Sequence, residues 1–176
     1  MDPRPAFILI LAAALPSHAV AQQPVTARNW RHHPSIRAIR GLAAATDAAI
    51  KDGELRAQTD SAECHGGEES VTAHLFTDSS GHVRKYVLTG GSEDSAGEVW
   101  YYYDLRGRLR FTFESLRAVD GTARETRVYF DSAGVQLYKD VRLLKGPGHP
   151  GGFDLVLTDP VADFHSLCGA PNEPPH

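Results

Sequence analysis

The sequence contains only two cysteines, no long apolar segment after its first 20 residues, and nearly balanced charge. Its 18 Lys and Arg residues stand against 22 Asp and Glu residues, a net charge of −4, so nothing in the composition attracts nucleic acid or an anionic membrane. The sequence also lacks a Gly-x-Ser-x-Gly elbow, a phosphate-binding loop, a dinucleotide fingerprint and an HExxH motif. We therefore expect no nucleic-acid partner and no cofactor.

The composition that remains is that of an ordinary globular protein. Hydrophobic residues make up 41% of the chain and charged residues 23%, which excludes a disordered polymer and a fibrous repeat. A chain of 176 residues has the length of one domain with a substantial core.

The first 21 residues predict an export signal. Arg4 precedes an apolar run over residues 6–15, and Ala19-Val20-Ala21 supplies the small-x-small pattern that signal peptidase requires. The run is too short to span about 30 Å of hydrocarbon, so no transmembrane segment is expected. The sequence also lacks an Asn-x-Ser/Thr sequon. We expect a bacterial protein of the periplasm or the extracellular space.

Cys64 and Cys168 are predicted to form a disulfide, because paired cysteines in an exported protein are usually oxidised. Closing a loop of about 100 residues would stabilise the fold by about 4–5 kcal/mol in the chain-entropy model. The alternative is a nucleophilic or metal-bound thiol beside His65.

After a flexible lead-in over 22–34, one domain is expected over 35–168, followed by a loose tail over 169–176. Apolar residues recur at steps of three and four from Ser35 to about Arg56, which predicts an amphipathic helix. Pro34 and Ser35 are its expected start signals, and Gly53 marks its expected end or fraying. Asp159-Pro160 is a helix start and predicts a short C-terminal helix that reaches Leu167.

An Asp-x-x-Gly sequence occurs three times, with its glycines at positions 81, 107 and 134. The Asp side chain can accept hydrogen bonds from the backbone two residues on, and Gly can adopt the left-handed conformation that a bulged type I turn requires. Each copy lies between β-branched and aromatic residues, so each predicts a hairpin turn.

These turns predict an α+β fold: a single antiparallel meander of six or seven strands with the N-terminal helix packed on one face. The strands are expected at Val71–Thr77, His82–Thr89, Val99–Asp104, Arg108–Leu116, Thr122–Asp131, Val135–Leu144 and, after a Gly/Pro loop, Phe153–Thr158.

Tyr103-Asp104-x-x-Gly107-Arg108-Leu109 resembles the Tyr-Asp repeats of bacterial surface and toxin-shell proteins. The aromatic run over residues 100–103, ahead of Gly107 and Leu109, is also similar to the aromatic-Gly-Leu units of MORN-like β-hairpin repeats. Both resemblances cover about residues 76–137 and imply an antiparallel hairpin array, with no catalytic residues to transfer.

Strict alternation along the strands separates two faces. We expect the face with Val99, Tyr101 and Tyr103 to take the helix, together with Leu109, Phe111, Phe113, Val135, Leu137, Val141 and Leu143. The opposite, uncovered face would then carry a binding surface of aromatic and charged side chains: Trp100, Tyr102, Arg110, Thr112 and Glu114, joined by Arg84, Tyr86 and Tyr138.

Two other functions remain open. A small hydrolase or metal-dependent enzyme would place its site near His65, Glu68 and Glu69, although the histidine spacing fits no metal motif. A structural subunit would instead form a homodimer through the sheet. The favoured hypothesis is an exported, non-enzymatic module that binds an unknown protein or envelope ligand by its open sheet face.

Overall fold

The computed structural model describes residues 23–168. The predicted signal peptide and the predicted tail over 169–176 therefore lie outside the described residues. The predicted lead-in contributes to the core, because Trp30 is only 5% exposed and packs on Tyr129 and Tyr138. No helix within 23–168 is both long and apolar enough to cross a bilayer.

The N-terminal helix, α1, spans Pro34–Lys51. Pro34 suits the first helical position, and His33 caps the helix by accepting the Ser35 backbone N–H at 3.3 Å. The helix ends beside Gly53, as expected, and so before Arg56, where the apolar pattern stops. Gly53 adopts φ +75°, and the N–H groups of Gly53 and Glu54 bond back to the last helical turn, which ends the helix.

The sheet confirms the predicted α+β class, with seven antiparallel strands in strict chain order. The strands are β1 (Arg56–Cys64), β2 (Glu69–Thr77), β3 (Val83–Gly91), β4 (Ser95–Tyr103), β5 (Leu109–Ala118), β6 (Ala123–Phe130) and β7 (Gln136–Lys145). Strand β1 was not expected, because its exposed, polar sequence shows no apolar alternation. It pairs with β2 along its whole length.

The three Asp-x-x-Gly segments are hairpin turns. In each, the Asp side chain accepts two backbone N–H bonds; Asp104, for example, accepts from Arg106 at 2.9 Å and Arg108 at 3.1 Å. Gly107 has φ +72°. Each turn is followed by a register shift in the adjoining strand pair, at Thr77, Tyr103 and Phe130. These β-bulges reverse which face the side chains take beyond the turn.

The segment predicted as a seventh strand, Phe153–Thr158, is not a strand. It lies across the face of β4 and β5, and its carbonyls accept hydrogen bonds from side chains of the sheet. Tyr101 donates to Asp154, Thr112 to Leu155 at 2.9 Å and Tyr103 to Leu157 at 3.0 Å. Phe153, Leu155 and Leu157 pack into the core beneath it.

The helix that follows, α2, spans Pro160–Phe164 and so ends before the predicted Leu167. Asp159 caps it by accepting the Ala162 N–H at 2.9 Å, and Phe164 is buried against the sheet. The predicted disulfide between Cys64 and Cys168 is confirmed, with the two Cα atoms 5.3 Å apart. It fastens the end of the C-terminal segment to the edge strand β1.

A different part of the chain therefore packs on each face of the sheet. The C-terminal segment and α2 cover the face with Tyr101 and Tyr103, where the sequence predicted α1. Helix α1 packs on the opposite face, with Ile36 and Ile39 beside Tyr129.

Candidate functional site

Three cross-strand rows make up the face of the sheet that α1 contacts. Strand register sets Lys85, Tyr102, Phe111, Tyr129 and Tyr138 side by side in the first row, called the Tyr102 row. The second, the Trp100 row, consists of Val87, Trp100, Phe113, Arg127 and Asp140. The third, the Glu98 row, consists of Thr89, Glu98, Ser115, Glu125 and Arg142.

Helix α1 lies along the Tyr102 row. Tyr102 is 1% exposed, and its hydroxyl donates to the carboxylate of Asp47 on α1 at 3.1 Å. Burial, with the nearby Asp47 carboxylate, raises the pKa of Tyr102 well above its ordinary value. At the other end of the row, the Arg40 guanidinium lies 4.9 Å from the Trp30 ring centre. This row is thus part of the core.

The Trp100 row is only partly buried. The Trp100 and Phe113 rings contact each other, with centroids 4.9 Å apart, and the Arg127 guanidinium lies 5.0 Å above Phe113. Lys85 reaches over from the neighbouring row, with its ammonium 4.5 Å from the centre of Trp100. The row therefore presents a continuous aromatic surface bounded by two cations.

Hydrogen bonds and ion pairs hold the polar groups of this surface in place. The indole N–H of Trp100 donates to Glu98 at 3.0 Å, and Arg127 donates to Glu125 at 2.7 Å. Arg142 donates to Asp140 at 2.8 Å. Lys85 pairs with Asp47 at 2.8 Å, which ties the surface to α1. Side chains fixed in this way lose little conformational entropy when a partner binds.

Of the eight residues predicted for the open face, only Trp100 belongs to the partly exposed Trp100 row. Tyr138 lies in the Tyr102 row and stacks on Trp30, and Thr112 is buried on the opposite face. Tyr102 is covered by α1. Tyr86 and Glu114 lie on the opposite face and are 0% and 1% exposed. Tyr86 donates to Asp163 at 2.7 Å, and Glu114 pairs with Arg124 at 3.2 Å.

Arg84 and Arg110, also predicted for the open face, lie instead at the hairpin-turn end of the sheet. Arg84 is 3.8 Å from Asp78, and Arg110 pairs with Asp104 at 3.3 Å while donating to the Phe130 carbonyl. Burial by itself would raise the pKa of Asp104, but hydrogen bonds from Arg108 and from the turn backbone lower it to about 2. Arg110 thus connects its own turn to the end of β6, whereas Arg84 lies beside the carboxylate of its own turn.

Phe113 and Arg127 belong to the surface although sequence reasoning missed them. Alternation from Leu109 assigned Phe113 to the face of Tyr103. The bulge at the start of β5 instead sets Leu109 opposite Tyr103 but Phe111 opposite Tyr102, with Arg110 as the extra residue. The Asp-x-x-Gly motif was the available signal, because this turn type brings a bulge with it.

The alternative site at His65 is an exposed loop. His65 lies 3.6 Å from Glu69, and their side chains are 62% and 48% exposed, so neither is held in a water-excluding pocket. Glu68 is also exposed. Across residues 23–168, no three His, Cys, Asp or Glu side chains are placed to share a metal ion.

A groove of about 290 Å³ lies on the opposite face, between the C-terminal segment and strands β2–β4. Its floor includes Gly90 and Gly97, and the Phe153 ring lies against both. A Cβ on Gly97 would come within 2.5 Å of the Ser115 carbonyl and 3.2 Å of that ring. The absence of side chains at Gly90 and Gly97 therefore leaves room for the Phe153 ring to pack on the sheet.

No protein-family model, curated protein or solved structure matches this chain. The resemblance to Tyr-Asp and MORN-like repeats accordingly stays a prediction.

Proposed function

We propose that this protein is an exported binding module that recognises the surface of another protein through its Trp100 row. The observation that carries the proposal is the partly exposed pair of Trp100 and Phe113, flanked by Lys85 and Arg127, on rigid sheet strands. Tryptophan and arginine are the residue types most enriched at binding hot spots. A sheet holds them in fixed positions before the partner arrives.

The charge pattern favours a protein partner over a polyanion. Acidic and basic residues face each other across the strands, with Arg127 opposite Asp140 and Glu125 opposite Arg142. Such a mixed pattern matches the mixed charge of protein surfaces and would repel long stretches of phosphate or sulfate at its carboxylates.

Export is the second part of the proposal. The Cys64–Cys168 disulfide supports it, because such bonds persist in oxidising compartments such as the periplasm and the extracellular space. A partner in the cell envelope or outside the cell would meet the protein there.

Replacing Trp100 with Ala is expected to weaken partner capture at least tenfold, the loss expected when a central hot-spot residue is truncated. Immobilised protein would be incubated with envelope extract from the producing organism, and the retained proteins quantified by mass spectrometry. The melting temperature should fall, because Trp100 loses its contacts with Phe113 and Glu98, so capture is compared at a temperature at which both proteins are folded.

Val119→Ala is the matched control, since Val119 is 79% exposed in the β5–β6 turn, away from the row. It should capture the same partner as the unaltered protein. Equal capture by folded Trp100→Ala and Val119→Ala proteins would contradict the proposal.

A further inference from the structure

Strand β7 is an edge strand of unusual composition. Among the strands within 23–168, only β6 pairs with it, which leaves the hydrogen-bonding groups of its outer edge unpaired. Val141 is 54% exposed and Leu143 is 51% exposed. The other edge strand, β1, has no large apolar side chain and is fastened at Cys64 by the disulfide. Exposed apolar edges of this kind are templates for strand pairing.

Two bulges limit the regular part of β7. The register shifts beside Phe130 and Ala123 leave Leu137 and Leu144 as extra residues, so the ladder is regular from Tyr138 to Leu143. Within this stretch, Tyr138, Asp140 and Arg142 take the face of the Trp100 row. Lys139, Val141 and Leu143 take the opposite face, because successive side chains alternate.

Charge selects one register for pairing β7 with a second β7 about a two-fold axis. An axis through Lys139, Asp140 or Arg142 would set that charged residue opposite its own copy. An axis through Val141 sets valine opposite valine, Lys139 opposite Leu143, and Asp140 opposite Arg142. Opposite charges directly across two strands stabilise the pairing, and like charges destabilise it. The register centred on Val141 also lets most of the regular part of β7 pair with its copy.

We infer that two copies of this chain join their β7 edges antiparallel, centred on Val141, to form a dimer with one continuous sheet. The Asp140–Arg142 pair within each chain then meets its two-fold mate, so that four alternating charges lie together across the junction. The same pairing brings the two Trp100 rows onto one face of the joined sheet. The inference stands on β7 alone and does not depend on the proposed partner.

The mass in solution tests the dimer. Light scattering of the folded protein, over a wide range of concentrations, should give twice the mass of one chain. Val141→Lys should give the mass of a single chain with unchanged circular dichroism, because two lysines would then meet at the axis. Val119→Lys, a change of the same kind at a more exposed turn position, should stay dimeric. A single-chain mass for the unaltered protein would overturn the inference.

Disulfide trapping tests the register. Val141→Cys should form an interchain disulfide in mild oxidant, because opposed Cβ atoms lie about 4.5–5.5 Å apart. Leu143→Cys should not, because the two copies of position 143 would be offset by four residues, about 13 Å along the strands. Equal trapping at both positions would overturn the Val141-centred register. Mass spectrometry of unreduced peptides would distinguish these links from the native Cys64–Cys168 bond.

Discussion

Raising the pH above 10 is expected to unfold the protein in one cooperative step, because four of its buried tyrosines are held as neutral phenols. Burial, first, raises the pKa of each above the ordinary value of 10.0, and nearby carboxylates add to the effect. The carboxylates are Asp163 beside Tyr86, Asp154 beside Tyr101, and Asp47 beside Tyr102. The fourth phenol, Tyr103, lies near Tyr101 and Asp163.

The sign follows from proton linkage. A group with a raised pKa in the folded state contributes its full stability below its unfolded pKa of 10.0 and loses it as the pH rises further. Each tyrosine then removes about 1.4 kcal/mol per pH unit, so four together remove about 5 kcal/mol per unit. A domain of ordinary stability, about 5–15 kcal/mol, should unfold about one to three units above pH 10.

Tyrosinate absorbance and circular dichroism, recorded together from about pH 8 to about pH 13, measure this transition. The ionisation of the buried tyrosines should coincide with the loss of secondary structure. Tyr102→Phe should make the fall of stability with pH about one quarter shallower, since one of the four linked groups is gone. Ionisation of all the tyrosines near pH 10 with the sheet intact would contradict the burial described here.

Replacing Glu114 with Ala is expected to lower the free energy of unfolding by about 3–5 kcal/mol, as for other buried ion pairs that lose one partner. Glu114 is 1% exposed, pairs with Arg124 at 3.2 Å, and accepts the Phe153 N–H at 3.0 Å. Arg124 also donates to the carbonyls of His149 and Gly151. The pair thus holds the start of the C-terminal segment against β5 and β6.

Urea denaturation measures the change, and hydrogen exchange at the Phe153 amide reports local release of the segment. Glu114→Gln should cost less, because its amide oxygen can still accept the Phe153 N–H. Glu125→Ala is the control, because the Glu125–Arg127 pair is more exposed and should be worth less than about 1 kcal/mol. A loss below about 1 kcal/mol for Glu114→Ala would show that this ion pair does not hold the segment.

The features that could be predicted from sequence are those set by local chemistry. The Asp-x-x-Gly turns form because the Asp carboxylate and the left-handed Gly act within four residues, whatever the rest of the chain does. Neighbouring residues likewise determine the start of α1 at Pro34 and the cap of α2 at Asp159. The disulfide was predictable because Cys64 and Cys168 are the only two cysteines. The positions of the turns predicted the antiparallel meander and therefore the fold class.

The predictions that were wrong concern features that depend on contacts between residues far apart in the sequence. Phe153, Leu155 and Leu157 show the alternation of a strand. They alternate because every second side chain of the segment packs on the face of the sheet, although the segment pairs with no strand. Strand β1 lacks such a pattern because both its faces meet solvent over most of its length.

On β5, the assignment of the faces failed because one residue, Arg110, is extra. A bulge of one residue exchanges the two faces for the rest of the strand, so Phe111 and Phe113 lie beside Tyr102 and Trp100. The predicted residues on β3 and β4 separated for other reasons: the C-terminal segment covers the face with Tyr86, and α1 covers Tyr102. Trp100 alone lies in the partly exposed Trp100 row.

Photo-crosslinking from the open sheet face tests most directly whether this surface binds a partner. A photoreactive phenylalanine at Ser115, in the Glu98 row beside Phe113, should form one discrete adduct with another protein in the producing cells. The adduct should disappear with Trp100→Ala, and the same probe at Val161, 45% exposed on α2, should form none. Adducts from Val161 but not from Ser115 would contradict the proposed binding surface.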